Sequence, residues 1–236
     1  MAIAAICFVS CSKDDGGKKK DKDKSDEKTE YVAPITIDGD FADWAALDAS
    51  KVLTATCADG AYKTALKTAK VYADETYVFV YVQFDGEAIA DRSWVPFHFY
   101  IDGDANDATG GFFGEQWIDG GVDVLLEGSI FENDFCDYNP GAYAWSGDEG
   151  GSGWSWDVDT PLIQEGGGIC SGAGKGEEYE IRLVREMYPK GELVDGFKLG
   201  IDIQQNWSTV GWLPNVAVTE DNTAGKTNMF VVKTNK

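Results

Sequence analysis

Apolar and polar residues alternate with period two along much of the chain, the spacing of a strand that buries one face. Residues 71–84 read V-Y-A-D-E-T-Y-V-F-V-Y-V-Q-F. This predicts a strand, a turn at Ala73-Asp74-Glu75, and a longer strand rich in β-branched and aromatic side chains. In residues 95–102, Phe97, Phe99 and Ile101 fall on one face and His98 and Tyr100 on the other. Further strands are predicted at 122–126, 179–184, 197–205, 216–219 and 229–233, with helical turns only at 41–47 and 186–188. Many short strands between Gly-rich turns predict an all-β fold, a β-sandwich of mainly antiparallel strands. Residues 131–176 break the pattern: they are Gly-rich and carry Trp145, Trp154 and Trp156. Long loops in compact domains tend to be functional, so an ordered binding loop or an irregular hairpin is expected there.

The first ten residues, M-A-I-A-A-I-C-F-V-S, are apolar but far short of the ~20 residues of a membrane-spanning helix. They fit a secretory leader that lacks its usual basic start. Phe8-Val9-Ser10-Cys11 resembles a lipobox, with Phe8 in place of the usual Leu, which makes Cys11 the lipidated residue. The alternative is an ordinary signal peptide with an incidental Cys. Ser12-Lys13-Asp14-Asp15 resembles the signal that sends bacterial glycan-uptake lipoproteins to the cell surface. Residues 13–30 hold seven Lys, seven Asp or Glu and no large apolar residue, so they cannot offset their ordering entropy. They are expected to be a disordered tether reaching roughly 25 Å. The expected organisation is therefore a leader over 1–11, a charged tether over 12–30 and a sandwich over 31–236, lipid-anchored at the outer membrane and facing outward.

Charge narrows the ligand. The tether is neutral, so the folded part carries the whole net charge of −21. Nucleic acid and anionic lipid both need a basic face, and are disfavoured as partners. Cys57, Cys136 and Cys170 remain after the leader. An odd number allows at most one disulfide. Cys136 and Cys170, which flank the same Gly-rich region, are the first candidate pair, though spacing leaves the choice open. A single His and no CxxC argue against zinc.

Residues 35–44, I-T-I-D-G-D-F-A-D-W, place Asp-Gly and then Trp just after an opening strand. This resembles the start of family 9 carbohydrate-binding modules and related DOMON-like sandwiches. Residues 71–82 are similar to their early hairpin, 99–102 to their central strand ending in an acid, 178–183 to the later strand that opens with Glu, and 196–212 to their closing strands. The resemblance implies a jelly-roll sandwich, often with bound calcium, that often binds sugars. Fold alone does not settle function.

Two constellations could carry chemistry. Asp102-Gly103-Asp104-Ala105-Asn106-Asp107 follows a strand and gathers hard oxygens in a tight loop, with Asp123 as a further donor from the next strand. Calcium requires six to eight oxygens at ~2.4 Å, so Asp102, Asp104, Asn106, Asp107 and Asp123 are the candidate ligands of a structural calcium. The competing reading is a polar Asx turn. The second constellation is aromatic, because eight Trp is many for this length. An exposed indole offers a flat apolar partner to the C–H face of a sugar ring. Trp44 is expected in the core. Trp117, Trp145, Trp154 and Trp156, and secondarily Trp207 and Trp212, are the candidate stacking residues. No acid pair for glycoside hydrolysis stands out, although Glu115 and Asp119 lie between Gly-rich turns. The expected function is non-catalytic binding of a polysaccharide or oligosaccharide, passed to transporter or glycosidase partners. The alternatives are a structural or interaction lipoprotein of the same fold and, behind it, a glycoside-active enzyme.

Overall fold

The computed structural model describes residues 31–113, 115–131, 138–158, 170–185, 190–191 and 193–236. The chain divides into two units, Met1–Val32 and Ala33–Lys236. Cys11, the tether, Cys136 and the predicted turn at 186–188 lie outside the described residues. The second unit is an all-β sandwich of two antiparallel sheets. One has the strand order β1 (Leu53–Thr56), β2 (Leu66–Ala73), β3 (Tyr77–Phe84), β9 (Glu178–Val184), β8 (Cys170–Lys175). The other runs β11 (Ser208–Leu213), β10 (Phe197–Gln205), β4 (Pro96–Asp102), β5 (Val124–Ser129), β6 (Gly141–Trp145), β7 (Trp156–Val158), and β12 (Phe230–Val232) joins the free end of β10. Among the described residues no helix is long and apolar enough to cross a membrane.

The alternation read from the sequence fixes which side chains meet between the sheets. Val78, Val80, Val82 and Phe84 of β3 face Phe97, Phe99 and Ile101 of β4 in one buried cluster, with Leu199, Ile201 and Ile203 of β10 beside them. The turn between β2 and β3 forms because the Asp74 carboxylate accepts the N–H groups of Thr76 and Tyr77, both at 2.8 Å. The segment 216–219, predicted as a strand, is irregular. Its Val216 and Val218 N–H groups bond to Gly225 and Gly60 carbonyls rather than to a strand, and both side chains are exposed.

The opening motif covers the outer face of the first sheet. Ile35 and Trp44, the latter on the short helix α1 (Ala42–Ala46), pack with Phe79 and Tyr81. Glu180, wholly buried in β9, ties the motif down: it accepts the Asp38 and Gly39 N–H groups at 3.0 and 2.9 Å and the Trp44 indole N–H at 3.1 Å. Asp-Gly at 38–39 and the Glu of the later strand, two signals far apart in sequence, are thus one hydrogen-bonded unit. Gly39 has φ of 77°, which a side chain would strain.

The outer face of the second sheet carries a third apolar cluster of Tyr100, Trp117, Val122, Leu125, Trp212 and Met229. Trp117 lies so close over β10 that a Cβ on Gly200 would sit 2.7 Å from its ring. At the edge of this sheet the chain from the first sheet crosses over: Thr64 bridges to Gly211, and the Ala65 N–H bonds to the Val210 carbonyl at 3.1 Å. This crossing brings Tyr62 and Lys63 to the second sheet.

Candidate functional site

A cleft of about 780 Å³ opens against the aromatic layer on the outer face of the second sheet, at Tyr100 and Phe113. Its walls are aromatic and come from three loops. Phe112 and Phe113 follow the acidic loop, Trp154 precedes β7, and Trp207 stands in the turn between β10 and β11. Trp154 is 66% exposed and Trp207 65% exposed. Asn206 and Trp207 have φ of 51° and 60°, the conformation of a two-residue hairpin turn, which Asn and Gly favour. A Trp there is a backbone outlier of the kind that clusters at functional sites. It projects its indole into solvent, where Trp94 meets it at a ring separation of 6.5 Å.

The floor is polar and is held by a buried network beneath it. His98 lies between two carboxylates, Nδ1 at 2.5 Å from Asp202 and Nε2 at 2.7 Å from Glu127. Burial disfavours the imidazolium, yet the Asp202 and Glu127 charges outweigh it and raise the pKa to about 9. The other Asp202 oxygen accepts the Gln116 side-chain N–H and the Thr209 hydroxyl, each at 3.1 Å. A carboxylate accepts only from a donor, so Gln116 must turn its amide nitrogen to Asp202, and its carbonyl oxygen stays available. Gln116, Thr209, Glu115, Gln204 and Lys63 line the cleft. The site therefore combines flat apolar walls with hydrogen-bonding groups, the composition of a small-molecule site.

Of the six candidate Trp, only Trp154 and Trp207 are exposed cleft walls. Trp117 is fully buried and Trp145 and Trp212 nearly so, so none of the three offers an open stacking face. Trp145 donates its indole N–H to the Asp148 carbonyl at 3.1 Å. Trp156 is half-buried and stacks on Phe113 with ring centroids 5.3 Å apart and planes 13° from parallel. Trp145 and Trp156 thus support the wall through Phe113 rather than form it. The expected hairpin in the Gly-rich region exists as β6 paired with β7. Cys57 is a free thiol. Lys63, Gln116, Gln204 and Thr209 were not legible in the sequence, because single polar residues scattered over separate segments carry no motif.

The acidic loop forms a second grouping at the other end of β4. Carboxylate oxygens of Asp102, Asp104 and Asp123 lie within 4.8 Å of one another. Of the five candidate donors these three converge, while the Asn106 side-chain oxygen accepts the Ala108 N–H at 3.1 Å and Asp107 pairs with Lys198. Burial raises the pKa of Asp102 to about 6 and also raises that of Asp123. Lys198 lies 3.1 Å from Asp102 and relieves part of that charge. Three convergent carboxylates, two of them costly to ionise, fit a hard divalent cation with oxygen ligands.

No family model and no curated protein matches the chain.

Proposed function

We propose that this chain is a non-catalytic glycan-binding lipoprotein, anchored at the cell surface through Cys11, that captures polysaccharide for a transporter or glycosidase. The observation that carries the reading is the pairing of two exposed indoles, Trp154 and Trp207, across one cleft with a polar floor. The indoles supply stacking faces for sugar rings, and Gln116, Gln204, Glu115 and Thr209 supply partners for hydroxyls. The resemblance of residues 35–44 to family 9 carbohydrate-binding modules points the same way. So does His98, the one His in the sequence. It is 1% exposed and held between two carboxylates, which suits a support beneath the floor better than a general base.

Affinity electrophoresis of the full chain through gels containing neutral glucans, mannans and xylans tests this. Retardation by at least one of them is expected, and the double substitution Trp154→Ala with Trp207→Ala is expected to abolish it. Unretarded migration in every polysaccharide would overturn the reading and favour a structural lipoprotein. Release of reducing sugar would make it an enzyme.

Calcium at Asp102, Asp104 and Asp123 is part of the same proposal, as a structural ion that braces the base of the acidic loop. Millimolar calcium is expected to raise the melting temperature of chelator-treated protein by several degrees, as binding to the native state alone requires. Asp104→Ala should remove the response. A melting temperature indifferent to calcium would discard the ion.

A further inference from the structure

The cleft does not end at its aromatic walls. A second hollow of about 340 Å³ adjoins it, lined by Tyr62, Trp212, Ala224 and Lys226. Lys63, Glu115, Gln116 and Thr209 line both hollows, so the two form one continuous trough. Its far end repeats the chemistry of the near one. Tyr62 is 60% exposed and faces Trp212 with ring centroids 6.2 Å apart. Among the described residues the buried Trp212 indole N–H has no hydrogen-bond acceptor. The junction is the best-held part of the trough, because Gln116 and Thr209 are both fixed by Asp202.

We infer that Tyr62, backed by the buried Trp212 and flanked by Lys226, forms a second sugar subsite, so that the trough takes an internal stretch of a glycan chain running from Trp154 and Trp207 past Gln116 to Tyr62. The inference rests on the glycan-binding reading and deepens it. Each hollow falls in or near the ~300–1,000 Å³ range of small-ligand sites, and an aromatic platform stands at both ends of a shared polar floor. A site for a single terminal sugar needs only one such platform. In a two-platform trough the second contact is intramolecular once the first is made, which raises affinity without new chemistry at the first site.

Isothermal titration of the full chain with linear gluco-, manno- and xylo-oligosaccharides, from disaccharide to hexasaccharide, tests the inference. For the sugar type that binds, the hexasaccharide is expected to bind about tenfold tighter than the disaccharide. Tyr62→Ala is expected to erase that gain and leave disaccharide affinity unchanged, whereas Trp154→Ala weakens every length. Tyr62 is exposed, so its removal leaves the core intact. Equal affinity for all lengths, or a Tyr62→Ala variant that keeps the full gain, would overturn the second subsite and leave the first standing. Binding of no length would overturn both.

Discussion

Replacing Glu180 by Ala is expected to destabilise the sandwich more than any other single carboxylate substitution, by about 3–5 kcal/mol in urea denaturation. Three donors converge on this one buried carboxylate: the Asp38 and Gly39 N–H groups and the Trp44 indole. Removing the acceptor strands the Trp44 indole N–H in a buried site and the Gly39 N–H in a half-buried one, and each stranded donor costs about 1–3 kcal/mol. The damage extends beyond hydrogen bonds. The opening segment that Glu180 holds also covers Phe79 and Tyr81 on the first sheet, so its release exposes aromatic surface. Against a total stability of about 5–15 kcal/mol for a domain, the variant would be close to unfolded. Glu180→Gln should be milder, because its carbonyl can still serve the two backbone donors while its amide nitrogen cannot accept from Trp44. A midpoint shift of under about 1 kcal/mol for the Ala variant would show that the opening motif is held by packing alone.

The second large effect is an alkaline loss of stability set by His98. Its folded pKa, about 9, lies above the ordinary histidine value. A group raised in this way contributes its full stabilisation below the unfolded value near 6.5 and loses it as pH rises through the folded one. Stability should therefore fall between about pH 6.5 and 9, by on the order of 3 kcal/mol. Asp202 and Glu127 bond the two ring nitrogens, and the Tyr100 ring lies 5.8 Å away. Tyr100 itself is pushed well above the usual tyrosine range, by burial and then by the Asp202 and Glu127 charges, so it does not titrate in this window. Denaturation midpoints measured across the window check the slope. His98→Gln, which cannot ionise, should be less stable at neutral pH and should flatten the profile. A wild-type midpoint constant from pH 6.5 to 9 would contradict a charged imidazolium beneath the floor.

What the sequence revealed of the fold depended on burial on one side only. In β3 and β4 the inward residues are apolar throughout, so period two identified both strands. In β10 the same pattern located both ends. The edge strands β1, β7, β8 and β11, and β6 next to the edge, were less legible because they are short, polar or Gly-rich. Gly172 in β8 is required because a Cβ there would meet the Tyr179 ring, and that demand leaves no hydrophobic trace. Residues 216–219 misled in the opposite direction: Val216 and Val218 alternate as in a strand, but their N–H groups find loop carbonyls.

The candidate site was legible in part for a related reason. Both faces of the second sheet are apolar, one against the first sheet and one beneath its own aromatic layer. Residue type therefore could not separate a buried Trp117 from an exposed Trp207. Exposure is decided by loop geometry, such as the left-handed turn at Asn206-Trp207. The polar floor was hidden because Gln116, Asp202 and Thr209 come from three separate segments and meet only in three dimensions.

The central claim is that Trp154 and Trp207 are the residues that touch glycan. Eight indole N–H resonances, assigned by single substitutions and followed by nuclear magnetic resonance as a binding oligosaccharide is added, test it most directly. The Trp154 and Trp207 signals are expected to shift progressively with ligand, while those of Trp44 and Trp117, buried in the two outer clusters, stay in place. An oligosaccharide that binds yet leaves both exposed indoles unmoved would contradict the account.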